Sequence, residues 1–116
     1  MDIEDLIKLK VKKIIRLLVA GEYRRLEEMN KIGKLSSDEL EEAILQYGER
    51  LSFPPEEAFD EMDIFKSDNP QNCYEEYFID IELWTNGCKS DLTLSCEAKV
   101  TENKELNVTI YSVHVF

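Results

Sequence analysis

The segment from Tyr77 to Ala98, YFIDIELWTNGCKSDLTLSCEA, constrains the fold more than any other part of the chain. Two runs of alternating apolar and polar residues flank the dipeptide Asn86-Gly87. A period of two is typical of a half-buried strand, and Asn-Gly between two such runs is the strongest short-range signal for a β-hairpin. The segment therefore predicts an antiparallel hairpin with one buried face.

The alternation also predicts which side chains share each face of the hairpin. The face toward the core is expected to hold apolar residues and one small cysteine: Ile79, Ile81, Leu83, Leu92, Leu94, Cys96 and Ala98. The opposite face is expected to hold polar and aromatic residues: Phe78, Asp80, Glu82 and Trp84 before the turn, and Thr93, Ser95, Glu97 and Lys99 after it. Because successive strand residues point to opposite sides, only this second face is available to a partner.

Helical periodicity fills the N-terminal half of the chain. Apolar residues recur at helical spacing in three stretches, which are bounded by capping residues or glycine. We predict helices over residues 3 to 19, from Glu22 to about Lys31, and from the capping box of Ser36 and Glu39 to Gly48. The pair Pro54-Pro55 then separates a helical half, residues 1–53, from a mainly sheet half, residues 54–116, within a single domain of residues 1–116.

The sheet half holds further signals outside the hairpin. A short helical turn is expected after the prolines, and the alternation around Ile64 predicts a brief edge strand. In the last strand, from Leu106 to Phe116, the apolar phase changes between Ile110 and Val113, so either a bulge near Tyr111 shifts the register or the strand end is covered on both faces. Together these patterns predict an α+β domain in which three N-terminal helices pack on one face of a C-terminal antiparallel β-meander of three to four strands.

Composition bounds the class of protein. Hydrophobic residues make up 43% of the chain and charged residues 34%, no apolar run approaches the ~20 residues of a membrane span, and the N-terminal sequence lacks a secretory pattern. We therefore expect a cytoplasmic protein without membrane contact. The three cysteines, Cys73, Cys88 and Cys96, form neither an even set nor a metal-ligand spacing, so neither a disulfide framework nor a zinc site is expected.

The formal net charge of −11 is unevenly distributed along the chain. Residues 36 to 82, which we call the acidic belt, hold two Lys or Arg against fifteen Asp or Glu, whereas residues 1 to 35 hold nine against six. Phosphate groups would meet like charge at the belt, which disfavours direct nucleic acid binding. A basic protein would instead be attracted to it.

Residues able to perform catalysis do not form a recognisable set. Three carboxylates near the hairpin are candidate acid–base groups: Asp80, Glu82 and Asp91. Carboxylates that alternate along a strand usually face water, however. His114 is the single histidine and has no local partner motif, although proximity to Cys88 or Cys96 in space stays open. We expect no catalytic residues, no metal ligands and no cofactor.

Four segments carry a resemblance to a known family: AGEYRRL (residues 20–26), LSSDELEEAILQYGERLSFPPEEAF (35–59), DIELWTNGCKSDLTL (80–94) and VHVF (113–116). They resemble a small bacterial domain family of uncharacterised function, in which a helical half with YG and PP signatures precedes a sheet with LWT, SDLTL and terminal HV motifs. The resemblance implies a compact α+β fold and transfers no catalytic residues. In size, acidity and lack of a catalytic set, the chain also resembles immunity proteins of bacterial toxin systems, including contact-dependent growth inhibition.

The resemblance to immunity proteins implies a function. The protein would bind a cognate toxin, a basic nuclease domain, and neutralise it by covering the active site without binding nucleic acid itself. The expected partner-binding residues are acids of the belt and one aromatic neighbour: Glu56, Glu57, Asp60, Glu61, Asp63, Glu75, Glu76, Asp80, Glu82 and Trp84. The sequence leaves the oligomeric state open.

An alternative function is small-molecule binding or catalysis in a cone-shaped α+β domain of the nuclear-transport-factor-like kind. That function would need a pocket between the helices and the sheet, lined by Trp84, Asp91 and His114. A deep pocket with convergent polar groups favours this alternative, whereas a filled core with an acidic exposed face favours the inhibitor. An accessory interaction domain without a toxin partner is the third class.

Overall fold

The computed structural model describes residues 2–70 and 73–115. The elements follow in the order α1 (Ile3–Val19), α2 (Tyr23–Glu28), α3 (Ser37–Tyr47), β1 (Leu51–Ser52), α4 (Glu56–Asp60), β2 (Asp63–Lys66), β3 (Glu75–Thr85), β4 (Cys88–Val100) and β5 (Leu106–Val115). Helices come first and an antiparallel β3–β4–β5 meander comes last, which confirms the predicted α+β arrangement. Within the described ranges, no helix is long and apolar enough to cross a membrane.

The sheet is built around β3. One edge of β3 pairs with β4, which in turn pairs with β5, and the other edge is shared by two short strands, β1 and β2. Strand β2 confirms the edge strand predicted around Ile64. The sequence does not predict β1, because a strand of two residues is too short to produce an alternating pattern. Strands β2 to β5 form a four-stranded meander, which confirms the predicted three to four strands, and β1 brings the sheet to five strands in the described part of the chain.

The turn between β3 and β4 has the geometry that its dipeptide predicts. Asn86 and Gly87 have φ angles of 51° and 79°, and Thr85 pairs with Cys88 across the turn. Two consecutive positive φ angles characterise the type I′ turn, whose twist matches that of the strands it joins. Asn tolerates this conformation and Gly has no Cβ to oppose it, so these two residues determine where the hairpin turns.

The inner face of the sheet packs against the helices and is buried. All seven apolar residues predicted for this face of the hairpin, between Ile79 and Ala98, are at most 3% exposed. Helix α1 adds Ile7, Val11 and Ile15 to the same core, and none of these three is exposed. Buried residues of α2 and α3 join the same cluster. The opposite, outer face of the hairpin is therefore the one turned away from the core, as predicted, although Thr93 on that face is only 4% exposed.

A bulge in β5 explains the phase change in the last strand. Ser95 pairs with Ser112 and Cys96 pairs with Ile110, so Tyr111 is an extra residue on β5. Of the two alternatives that the sequence left open, the bulge is confirmed. The extra residue restores Val113 to the core side, where it packs against the buried cluster, whereas Val115 near the strand end is 49% exposed.

The boundaries of two helices agree with their capping signals. At the start of α1, the Asp2 carboxylate accepts a hydrogen bond from the Asp5 N–H at 2.9 Å. Ser36 and Glu39 form a reciprocal capping box at α3, and Gly48 ends that helix with a φ angle of 83°. Local sequence is sufficient at these positions because each cap is made by residues within one turn.

Helix α2 is shorter than predicted. It ends at Glu28 instead of about Lys31, and Asn30 adopts a left-handed conformation with a φ angle of 57°. The chain then runs beside β5, where the Ile110 N–H donates to the Lys31 carbonyl at 2.7 Å and the Gly33 N–H donates to the Ile110 carbonyl at 3.0 Å. Pairing with the sheet therefore replaces the last turn of the predicted helix.

Candidate protein-binding surface

The outer face of the sheet carries aromatic side chains at the molecular surface. Phe65 of β2 and Phe78 of β3 are cross-strand partners and are 56% and 41% exposed. Tyr111, the bulged residue of β5, is 52% exposed. Aromatic residues are enriched in protein interfaces because they bury a large apolar area at a small entropic cost. These three residues are thus candidate anchors for a partner.

A first cleft lies at the edge of β3 that β1 and β2 share. It has a volume of about 300 Å³, and Ala58, Met62 and Ile81 supply its apolar lining. Its other lining residues are five acids, one aromatic residue, one lysine and one threonine: Glu61, Asp63, Asp80, Glu82, Asp91, Trp84, Lys89 and Thr93. The structure thus brings together half of the predicted partner-binding residues, namely Glu61, Asp63, Asp80, Glu82 and Trp84.

Lys89 supplies an intramolecular counter-charge in the first cleft. Its ammonium nitrogen lies 3.4 Å from a carboxylate oxygen of Glu61 and 3.6 Å from one of Glu82. Because all three side chains are substantially exposed, these ion pairs contribute little to stability. One ammonium group beside five carboxylates leaves the lining of the cleft acidic.

A second cleft, of about 260 Å³, lies on the outer face toward β5. Two of the exposed aromatic side chains line it, together with Asp80, which also lines the first cleft. The Ser95 hydroxyl donates to Asp80 Oδ1 at 2.5 Å, and Ser112 Oγ lies 2.9 Å from His114 Nδ1. Asp80 therefore lines both the first cleft, which is acidic, and the second cleft, which is partly aromatic.

Two of the three acids of α4 are paired with lysines of α1. Lys12 Nζ contacts a Glu56 carboxylate oxygen, and Lys8 Nζ lies 3.1 Å from Asp60 Oδ1. The hydrogen bond to Asp60 raises the pKa of the Lys8 ammonium above its ordinary value. Glu56 and Asp60 are thus partly neutralised by α1. The sequence does not reveal these pairs, because their members are 44 and 52 residues apart.

The other predicted interface acids lie outside the two clefts. Lys66 lies 2.7 Å from a carboxylate oxygen of Glu75, and its hydrogen bond holds the pKa of that carboxyl below its usual value. Glu76 is only 5% exposed and lies 3.8 Å from Lys99. Glu57 is exposed on α4 but lines neither cleft. The acidic belt is therefore several separate groups in space.

Ser90 and Asp91 stabilise an irregular part of β4 beside the first cleft, where the register with β3 shifts. The Ser90 hydroxyl donates to the Leu83 carbonyl at 2.6 Å, and the Leu92 N–H donates to Ser90 Oγ at 3.2 Å. The Tyr47 hydroxyl donates to Asp91 Oδ1 at 2.5 Å, and this bond raises the pKa of the tyrosine. Both residues thus hold the hairpin in place, Asp91 by linking it to the end of α3.

The residues named for a catalytic or ligand-binding alternative are divided between the clefts. Trp84 and Asp91 line the first cleft, and His114 lines the second. Cys96 also borders the second cleft, but it is 1% exposed, and burial raises the pKa of its thiol to about 12, with a further contribution from the charge of Asp80. A cysteine nucleophile must form a thiolate, which this environment opposes.

The difference in exposure between Cys88 and Cys96 predicts that a thiol reagent will label them selectively. At pH 8 we expect iodoacetamide to modify exposed Cys88 readily and buried Cys96 only after unfolding in urea, because a thiol with a raised pKa is almost wholly protonated at that pH. Mass spectrometry of digested samples taken over time measures both rates in one experiment. Modification of Cys96 at the rate of Cys88 in the folded protein would contradict the buried position of Cys96 in β4.

Comparison with known proteins gives the chain a family. No curated protein and no solved structure matches it. The family described as "Domain of unknown function (DUF7668)" matches residues 15–116, a range that includes every element from α2 to β5. The match agrees with the resemblance to a domain family of uncharacterised function and carries no statement about toxins or immunity. The chain therefore belongs to the DUF7668 family of domains of unknown function.

Proposed function

We propose that this protein is a non-enzymatic inhibitor that binds a basic protein partner, specifically an immunity protein that neutralises a nuclease toxin. The observation that carries the proposal is the concentration of exposed aromatic and acidic side chains on the outer face of the sheet. We call this face the docking surface and define it by its members: Glu61, Asp63, Phe65, Phe78, Asp80, Glu82, Trp84 and Tyr111.

The residue types of the docking surface suit a protein partner. Binding energy in protein interfaces is concentrated in a few aromatic anchors, and polar residues around them exclude water and select the partner. Phe65, Phe78 and Tyr111 expose apolar area to solvent, and the carboxylates of Asp63 and Asp80 lie next to Phe65 and Phe78 along the same strands. In this proposal the aromatic residues supply most of the affinity and the acids supply the specificity.

The charge suits a partner that itself binds phosphate. A nuclease active site has to attract nucleic acid, so its surface is basic, and an acidic protein of net charge −11 is steered toward it. Once bound, the docking surface would occupy the substrate site. Of the other predicted acids, exposed Glu57 would add to the attracting field from outside the docking surface. Glu56, Asp60, Glu75 and Glu76 would add less, because each is paired with a lysine. The proposal places the protein in the cytoplasm, where an incoming toxin meets its substrate.

The test uses the partner that the proposal expects, a basic domain encoded by the gene directly upstream, which we call the upstream domain. Expressed alone, that domain should stop bacterial growth, and co-expression of this protein should restore it. In purified form the two should assemble one to one with a dissociation constant in the nanomolar range, and nucleic acid substrate should compete with the complex. An upstream product that is harmless, or one that is equally toxic and nucleolytic with this protein present, would refute the proposal.

The complex should also weaken as salt rises. Between about 50 mM and about 500 mM NaCl we expect the dissociation constant to increase at least tenfold, because salt screens the charge attraction while leaving the aromatic contacts in place. Isothermal titration calorimetry over this range gives the slope, and circular dichroism of each partner alone is the control for folding. A dissociation constant that stays constant over the range is incompatible with recognition by charge.

A further inference from the structure

The two clefts differ in whether a lysine of the protein itself lies beside their carboxylates. In the first cleft, Lys89 already lies near Glu61 and Glu82, so a cation of the protein itself is present. The second cleft contains a single carboxylate, Asp80, and neither lysine nor arginine is among its lining residues in the described part of the chain. An incoming cation would therefore meet no resident ammonium group there.

We propose that the second cleft receives an arginine side chain of the partner, with the guanidinium group on Asp80 and against the rings of Phe78 and Tyr111. This inference rests on the proposed function and identifies the anchor residue of the partner. The two rings are exposed, and both line the cleft. A planar guanidinium group stacks on aromatic rings. Because it is more weakly hydrated than an ammonium group, it loses less hydration free energy when it enters such a cleft.

Asp80 is prepared for this contact by its neighbours. It is half-buried, and the Ser95 hydroxyl donates to its Oδ1 at 2.5 Å, which orients the carboxylate. A carboxylate has about four acceptor positions, so one hydrogen bond from serine leaves room for a fork of two N–H donors. The neighbouring Ser112 hydroxyl is engaged with the His114 ring at 2.9 Å. Asp80 thus supplies the carboxylate oxygens that line the cleft.

The arginine site can be tested with the intact protein and two small probes. The probes are acetyl-Gly-Arg-Gly-amide and acetyl-Gly-Lys-Gly-amide, titrated into isotopically labelled protein and followed by NMR. The arginine peptide should shift the amide signals of Ser95 and Ser112 and bind at least about threefold tighter than the lysine peptide. Asp80→Asn should weaken the arginine peptide at least about fivefold. The matched charge control Glu102→Gln, in the exposed β4–β5 turn, should change its affinity by less than about twofold.

Two results would overturn the arginine site, namely equal affinity for the two peptides or equal effects of Asp80→Asn and Glu102→Gln. Phe78→Leu provides a second variant, because it keeps an apolar residue on β3 while removing the ring, and it should reduce the preference for arginine over lysine. Thermal melts confirm that each variant is folded. If the upstream domain does not bind but the arginine preference is found, the proposed function fails and the site stands. If the upstream domain binds but the protein shows no preference for arginine, the proposed function stands and the arginine site fails.

Discussion

Leu94→Ala is expected to lower the free energy of unfolding by about 2 to 5 kcal/mol, the range for leucine removed from a closely packed core. Leu94 is 0% exposed in β4, and it pairs with Ile81 of β3 on one side and Val113 of β5 on the other. Shortening the side chain leaves a cavity that the paired strands on both sides cannot close. Urea denaturation followed by circular dichroism measures the change.

Leu45→Ala is the matched control for this prediction. Leu45 lies on α3 and is 68% exposed, so the same substitution should change the free energy of unfolding by less than about 0.5 kcal/mol. If Leu94→Ala lowers the free energy of unfolding by no more than Leu45→Ala does, the inner face of the sheet is not the core.

The second large effect is expected on binding. Reversing three acids of the docking surface together, Asp63→Lys, Asp80→Lys and Glu82→Lys, should weaken the complex with the upstream basic domain at least about 100-fold, because like charges brought together in an interface cost several kcal/mol. Asp63 and Asp80 are cross-strand partners, and all three residues line the first cleft. The dissociation constant is measured by calorimetry at a fixed salt concentration.

The control keeps the same change in net charge but places it elsewhere. Glu41→Lys, Glu102→Lys and Glu105→Lys lie on α3 and in the β4–β5 turn, and all three residues are exposed. This variant should weaken binding by less than about tenfold, since only the long-range field changes. Similar losses from both triple variants would show that the position of the acids does not matter and would refute the docking surface.

The hairpin could be predicted because its determinants are local. Alternation decides which face Ile79 and Asp80 occupy, and Asn86-Gly87 decides the turn, without information from the rest of the chain. The same holds for the capping box at Ser36. Strand β1 and the end of α2 depend on pairing with β3 and β5, so their own residues carry too little signal.

The candidate surface was only partly predictable. The count of charges along the sequence places Glu56, Asp60 and Asp80 in one acidic belt. In the structure, lysines of α1 pair with Glu56 and Asp60, whereas Asp80 lies on the outer face of the sheet. The change of apolar phase predicts a bulge in β5, but not that Tyr111 would thereby border a cleft with Phe78. Such groupings arise from contacts between elements that are far apart in the sequence. Neither the distribution of charge nor the apolar periodicity along the sequence reveals those contacts.

The most direct test of the docking surface is an NMR titration of labelled protein with the unlabelled upstream domain. Trp84 is the single tryptophan, so its indole N–H gives one assigned signal on the docking surface. We predict that this signal and those of Phe78 and Asp80 shift or broaden on binding, while signals of exposed Leu9 on α1 and Leu45 on α3 stay unchanged. Changes confined to α1 and α3, with the Trp84 indole unaffected, would contradict binding through the outer face of the sheet.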